Sequence, residues 1–287
     1  MALATENQLN KIVLSQKTFN RYREFIQKEL GIRMPDVKRT LLESRLQKRM
    51  RETGCTSFES YYDFVFSSEG LEKELVHMMD VITTNKTDFF RESKHFDYLV
   101  ETALPALLDG TENGGKRHVA CWSAGCSSGE EPYTLAMVLS EYIRTRRGIS
   151  FSILATDISS RVLGKAMLGI YREDLVDPVP LQLRKRYLMR SKDKTKNTVR
   201  IIPDLRSRIL FRRLNFMQES YGLNSSVDII FCRNVLIYFD SKTQERVVNN
   251  LCRHLNPGGF LFSGHSETLH NLNVPLVQTG NSVYRRK

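Results

Sequence analysis

The stretch VACWSAGCSSGEEPYTLAMVL, residues 119–139, constrains the fold more than any other part of the chain. An apolar run, Val119–Trp122, stops at a loop of small residues from Ser123 to Gly129, and Glu130, Glu131 and an amphipathic run follow. This pattern predicts a strand, a tight turn and the start of a helix. Gly125 and Gly129 carry no Cβ, so the backbone can turn sharply there and a ligand can approach closely. Ser127, Ser128 and the two acids suit a helix N-terminus, where side-chain oxygens cap free N–H groups and negative charge meets the positive dipole end. A second apolar run, Phe151–Thr156, ends in Asp157. In nucleotide-binding α/β folds an acid at that position pairs with ribose hydroxyls. The loop is neither G-x-G-x-x-G nor a P-loop with its lysine, so a dehydrogenase fits less well than a binder of another adenosine ligand. The plainer alternative is an ordinary strand–helix turn with no ligand.

The two sides of Thr84 follow different periodicities. Before it, Leu14, Phe19, Tyr22, Phe25, Ile26 and Leu30 recur at steps of three and four, which predicts a helix closed by Gly31. A second helix is predicted over Val37–Arg51, with Leu42, Leu46 and Met50 on one face. A third starts near Phe58, and a fourth covers Leu71–Val81. After Thr84, apolar strands (119–123, 151–156, 209–214, 227–232, 259–263) alternate with helices (130–147, 159–168, 242–255). Such alternation gives a mainly parallel sheet with helices on both faces. The chain therefore divides into an all-helical domain, 1–84, and an α/β domain, 85–287. Residues from Tyr171 to about Leu205 break the rhythm and read as a helix plus a small antiparallel hairpin, an inserted β subdomain at about 185–207.

The formal charge of +11 is concentrated rather than spread. Arg184–Arg213 holds twelve Lys/Arg against two Asp, and Arg33–Arg51 holds seven against Asp36 and Glu43. Two basic surfaces of this kind suit docking to an acidic partner. On the second predicted helix Lys38, Arg45 and Arg49 share a face, with Lys48 close by; a merely solvated face is the ordinary alternative. No apolar run is long enough to cross a bilayer, and the polar N-terminus does not read as a signal peptide. The five cysteines include no C-x-x-C pair, so reduced, mostly buried thiols in a cytoplasmic protein are expected, and no metal centre.

Three further segments carry polar residues where a ligand would lie. Thr83–Arg91, TTNKTDFFR, combines hydrogen-bonding side chains, two aromatics and a guanidinium; a helix cap at Thr87 or Asp88 followed by core Phe89 and Phe90 is the structural alternative. Asn215-Phe216 follows the third predicted strand, and Arg233-Asn234 ends the fourth. Ligands in open parallel sheets bind outside the carboxyl ends of the strands. Asp157, Asn215, Arg233 and Asn234 are therefore expected to converge on one cleft.

The motifs T-T-N-x-T-x-F-F-R, W-S-A-x-C-S-S-G-E-E-P-Y, A-T-D-I, F-C-R-N-V-x-I-Y-F and G-H-S-E, in this order over nearly the whole chain, resemble the chemotaxis receptor methyltransferases of the CheR type. The resemblance implies a Rossmann-like S-adenosylmethionine-dependent sheet behind an N-terminal helical domain, with S-adenosylhomocysteine as product. It implies methylation of glutamate side chains on the cytoplasmic helical bundle of chemoreceptors. It places Asn85, Thr87, Arg91, Glu131, Asp157, Asn215, Phe216, Arg233 and Asn234 around the cofactor, with Asp157 on the ribose and Asn215-Phe216 by the adenine. Arg91 and Tyr238 would face the transferred methyl and position the carboxylate. Lys38, Arg45, Lys48 and Arg49 would then steer the receptor. His265 and Glu267 are expected to be structural.

The missing Cys/His or Ser/His/Asp set agrees with that chemistry, because a glutamate is already ionised at pH 7 and attacks without a general base. A nucleic-acid methyltransferase is the rival reading, since Asn234 and Tyr238 resemble an Asn-Pro-Pro-Tyr loop and a basic chain suits phosphate. Val235–Ile237 separates the two, however, no proline is present there, and the basic segments lack interleaved aromatics. Nucleic acid and membrane insertion are accordingly not expected. A non-catalytic cofactor-binding regulator would require a damaged site. In some relatives the β subdomain adds a receptor's C-terminal tail as an edge strand and favours a glycine-rich turn. Here the turn is SKDKTKN, residues 191–197, with no glycine between Gly169 and Gly222. Independence from a tail peptide is expected.

Overall fold

The computed structural model describes residues 12–108, 118–193, 195–223 and 225–287, so residues 1–11, read above as polar, and Lys194 of the basic turn lie outside the described residues. The chain forms two compact units, Met1–Thr84 and Asn85–Lys287. No described helix is long and apolar enough to cross a membrane.

The first unit is helical among its described residues. Helix α1 (Gln16–Leu30) starts at Ser15, whose hydroxyl caps the Thr18 N–H, and ends at Gly31 with φ 69°. A short 3-10 turn, Asp36–Lys38, leads into α2 (Arg39–Thr53), so the α-helix begins two residues later than the periodicity suggests. Helix α3 (Phe58–Val65) opens on a Ser57/Ser60 capping box. The predicted fourth helix is two, α4 (Ser68–Lys73) and α5 (Leu75–Ile82), broken at Glu74. At the break Glu74 turns inward, 4% exposed, and takes hydrogen bonds from Arg49 and the Tyr61 hydroxyl. Phe19, Tyr22, Ile26, Leu42, Leu46, Met50, Phe58 and Tyr61 fill the core.

In the second unit α6 (Lys94–Tyr98) runs through a π turn into α7 (Leu104–Leu108). Then come β1 (His118–Ala124), α8 (Glu130–Arg144), β2 (Ser150–Asp157) and α9 (Ser160–Leu168). The insert holds β3 (Ile170–Arg172), α10 (Leu181–Tyr187), β4 (Leu188–Arg190) and β5 (Thr198–Ile201). The chain closes with α11 (Pro203–Ser207), β6 (Ile209–Arg213), β7 (Val227–Cys232), α12 (Ser241–Arg253), β8 (Leu255–Ser263), β9 (Leu276–Gly280) and β10 (Val283–Arg286).

The main sheet has the order β6-β2-β1-β7-β8-β10-β9, parallel from β6 to β8, with β10 antiparallel to both its neighbours. Strand β7 is buried at all six positions, as a central parallel strand must be. The connections run outward from β1 through β2 to β6 and return to β7 on the other side. The topological switch therefore lies between β1 and β7, where such sheets open a crevice at their carboxyl ends. The insert is a three-stranded antiparallel sheet, β3-β5-β4, rather than a hairpin, because Ile170–Arg172 pairs along β5. Strand β9 was also not expected. Its residues are mostly exposed, so it shows no apolar alternation.

Candidate active site

Glycine geometry shapes the turn after β1. Gly125 and Gly129 have φ 89° and 99°, and Ser127 between them has φ 49°. A Cβ on Gly125 would lie 2.4 Å from Val235 Cγ2, so the turn packs directly on the loop after β7. The Gly125 and Cys126 N–H groups donate to the Thr156 carbonyl at 2.8 and 2.9 Å. The Ser127 N–H donates to Asp157 Oδ2 at 2.8 Å, and the Ser159 N–H donates to Oδ1 at 2.9 Å. Asp157 is thereby oriented at the end of β2, 8% exposed. The Leu214 N–H donates to the Asp157 carbonyl at 2.9 Å, which brings half-buried Asn215 and Phe216 alongside.

The two acids of α8 behave differently. Glu131 joins a buried chain: Ser123 Oγ donates to its Oε1 at 2.6 Å, and Arg233 Nε donates to its Oε2 at 2.7 Å. Glu130 accepts from Ser128 Oγ, and burial raises its pKa. The Glu131 charge is thus matched by Arg233, while Asp157 and Glu130 bring two further carboxyl groups to the turn.

Residues 85–93 form a loop, not a capped helix, since α6 begins only at Lys94. Phe89 is core, 1% exposed, while Phe90 and Glu92 take φ 53° and 55°. Such angles in non-glycine residues persist only where neighbours hold them. Here Ser127 Oγ donates to the Asn85 carbonyl at 2.9 Å, and the Phe90 N–H donates to Thr134 Oγ1 at 3.2 Å. Arg233 Nη1 donates to the Arg91 carbonyl at 2.7 Å and to His95 Nδ1 at 3.2 Å. Thr87 and Arg91 lie half-buried in the same loop.

Asp157, Asn215, Phe216, Arg233 and Asn234 thus end or follow β2, β6 and β7, Glu131 opens α8 after β1, and Asn85 and Arg91 are tied in through their carbonyls, with Thr87 between them in the loop. Tyr238 is half-buried in the 3-10 turn Leu236–Tyr238 that follows them. The Arg233 side chain is 2% exposed and engages Glu131, Glu92, His95 and the Arg91 carbonyl, so it anchors the loop. Glu92 and His95 were missed by the sequence analysis. A carboxylate one residue beyond Arg91 with a histidine three positions further was the available signal. Burial, then the Arg233 charge, pushes the His95 pKa down to about 4, so the ring is neutral and accepts from the guanidinium. Glu92, His95 and His265 place three potential ligand atoms within 4.8 Å of one another. Arg233 already supplies the cation there.

The basic residues of the helical unit are not one free face. Arg49 is 17% exposed at its side chain and pairs with Glu74 and Glu52. Arg45 bonds the Ile82 carbonyl and Thr84 Oγ1. Lys48 is 77% exposed at its side chain, 4.0 Å from Glu52, and Lys38 is half-buried in the 3-10 turn before α2.

The chain matches known proteins along nearly its whole length. Residues 85–284 match the family described as CheR methyltransferase, SAM binding domain, and residues 17–83 match CheR methyltransferase, all-alpha domain. A chemotaxis protein methyltransferase of Borreliella burgdorferi is 40% identical over 275 residues, 95% of this chain and 96% of that one. One of Escherichia coli is 37% identical, covering 96% and 92%. Chemotaxis protein methyltransferase 1 of Pseudomonas aeruginosa is 36% identical, covering 94% and 97%.

Proposed function

The chain belongs to the CheR methyltransferase family, and from that membership we propose that it esterifies glutamate side chains on the helical bundle of bacterial chemoreceptors. It is an S-adenosylmethionine-dependent methyltransferase of chemotaxis. The finer reading is supported by Asp157 and Asn234 at the carboxyl ends of β2 and β7, with Asn215 following β6, Arg91 in the loop whose carbonyl Arg233 holds, and Tyr238 in the turn after Asn234, with no nucleophile or general-base set among them.

S-adenosylmethionine supplies an electrophilic methyl when bound. The Asp157 carboxylate would hold the ribose of the bound cofactor, and Asn215-Phe216 would flank its base. The Arg91 guanidinium offers a carboxylate a fork of donors, and the Tyr238 hydroxyl adds one more. The receptor glutamate arrives ionised at pH 7, so the residues have only to align and partly desolvate it. Alignment of two reactants contributes up to roughly 7–11 kcal/mol. Charge cancels as the methyl moves, so no residue need take up a proton. Glu131 and Arg233 act behind this layer by holding the 85–93 loop on the sheet.

The test is methyl transfer from labelled cofactor to receptor cytoplasmic fragments and to RNA in parallel. Label on the receptor fragment that mild base releases as methanol supports the proposal. Base-stable label, or label on RNA, overturns it.

A further inference from the structure

The segment Gly264–Glu267, GHSE, is a motif that the proposed chemistry leaves unused. Glu267 is 6% exposed. Its Oε2 accepts from the Gly264 N–H at 2.6 Å and the Asn234 N–H at 2.8 Å, and its Oε1 accepts from the Ile237 N–H at 3.2 Å. Its own backbone is tied to the end of β8: its N–H donates to the Gly264 carbonyl at 2.9 Å, and its carbonyl accepts from Ser263 Oγ at 3.1 Å. The carboxylate therefore stands at a defined place relative to the sheet.

What it holds is the loop between β7 and α12. That loop enters at Asn234 with φ 59° and makes the 3-10 turn Leu236–Tyr238, which has no side-chain cap of its own. A helical turn leaves its first N–H groups unsatisfied. Here one carboxylate from a different element, 30 and 33 positions further along, satisfies two of the loop's N–H groups. The fit is close: a Cβ on Gly264 would lie 2.7 Å from Asn234 Nδ2 and 2.8 Å from Glu267 Oε2. Burial raises the pKa of Glu267, against the backbone donors that lower it.

We propose that Glu267 is a positioning residue for methyl transfer, fixing through the Asn234 and Ile237 N–H groups the loop that presents Asn234 and Tyr238. The inference rests on the role given to Tyr238 above. Glu267→Gln separates the two ends of the loop. The amide oxygen can keep Asn234 and Gly264, and its NH2 group then faces the Ile237 N–H, next to Tyr238.

The experiment compares wild type, Glu267→Gln, Tyr238→Phe and the double variant of the full chain. It reads kcat and KM for a receptor fragment, cofactor Kd by calorimetry, and Trp122 emission, the single buried tryptophan reporting the fold. Glu267→Gln should lower kcat roughly ten- to hundredfold, as small misplacements at a reacting centre do, with cofactor Kd within about threefold. In the Tyr238→Phe background it should change kcat less than about twofold, because residues acting through one another are not additive. Equal factors in both backgrounds, or an unchanged kcat, overturn the proposal. If Trp122 emission shows that Glu267→Gln unfolds, Glu267→Asp keeps the charge one methylene short; folded with full activity it overturns the proposal, and folded with reduced, non-additive activity it supports it. A different pattern marks failure of the underlying reading: Tyr238→Phe as active as wild type, or no base-labile ester formed by wild type.

Discussion

Asp157 shows how one side chain joins fold and function. Its two oxygens receive the Ser127 and Ser159 N–H groups, which aims the carboxylate out of the end of β2 where a ribose would lie. Asp157→Ala should weaken S-adenosylmethionine binding by about 1–3 kcal/mol, the cost of unpaired polar partners; calorimetry on the folded variant reads this, and unchanged affinity rejects the ribose role. Tyr238→Phe removes only the hydroxyl proposed to meet the acceptor. It should lower turnover with little change in cofactor affinity, and the reverse pattern would move Tyr238 into the cofactor pocket. Both positions stand out in the sequence because they end or follow apolar runs. Arg233 could be located the same way but not understood, since its partners Glu131 and Arg91 lie 102 and 142 positions away. Glu267 likewise reads as structural until its bonds to Asn234 and Ile237 are seen.

Elements with a strong period were legible, and elements held by distant partners were not. Strands β1, β2 and β7 carry apolar runs that only a buried parallel sheet explains. Strand β3, three residues long, has too little pattern to recognise and exists because β5 pairs with it. The α4–α5 break is invisible in periodicity, and so are the bonds Glu74 makes there to Arg49 and Tyr61. Burial raises the Glu74 pKa, but Arg49 and Tyr61 outweigh it and leave the pKa lowered. A lowered carboxylate pKa adds stability above the ordinary glutamate value of about 4.3 and loses it as pH falls through the folded value. Glu74→Gln should therefore destabilise the chain at pH 7, with the gap to wild type closing below about pH 4; circular dichroism melts across pH read this. The same ion pair changes how docking on α2 must be tested. Charge reversal at Arg45 or Arg49 breaks bonds within the helical unit, so Lys48→Glu, at a side chain 77% exposed, is the gentler probe. It should raise KM for receptor and flatten its salt dependence, and an unaltered KM at low salt rejects the docking role.

Across the whole molecule, +11 of charge gathered in two segments sets up attraction to an acidic surface without a uniformly basic exterior. The larger segment, Arg184–Arg213, spans α10, β4, β5, α11 and β6. Part of its charge is already matched: Arg190 pairs with Glu173, Arg186 with Glu141, and Arg208 with Asp204. Strand β4 lies at an edge of the small sheet, the place where a peptide could add as a further strand. Adding one requires close backbone approach, and long basic side chains at an edge oppose it. Here Arg190 and Lys192 are exposed at and beside β4, and the turn that follows has no glycine. Methylation should therefore not depend on a receptor tail peptide, and the insert should lie against an acidic surface, the bundle itself or an anionic regulator. Calorimetry with receptor tail peptides should show no micromolar binding. Tail-less receptor should be methylated as fast as the intact one, with KM rising as salt screens the basic segment. Micromolar tail binding, or loss of methylation when the tail is removed, would show instead that the β4 edge accepts a strand despite its lysine and arginine neighbours.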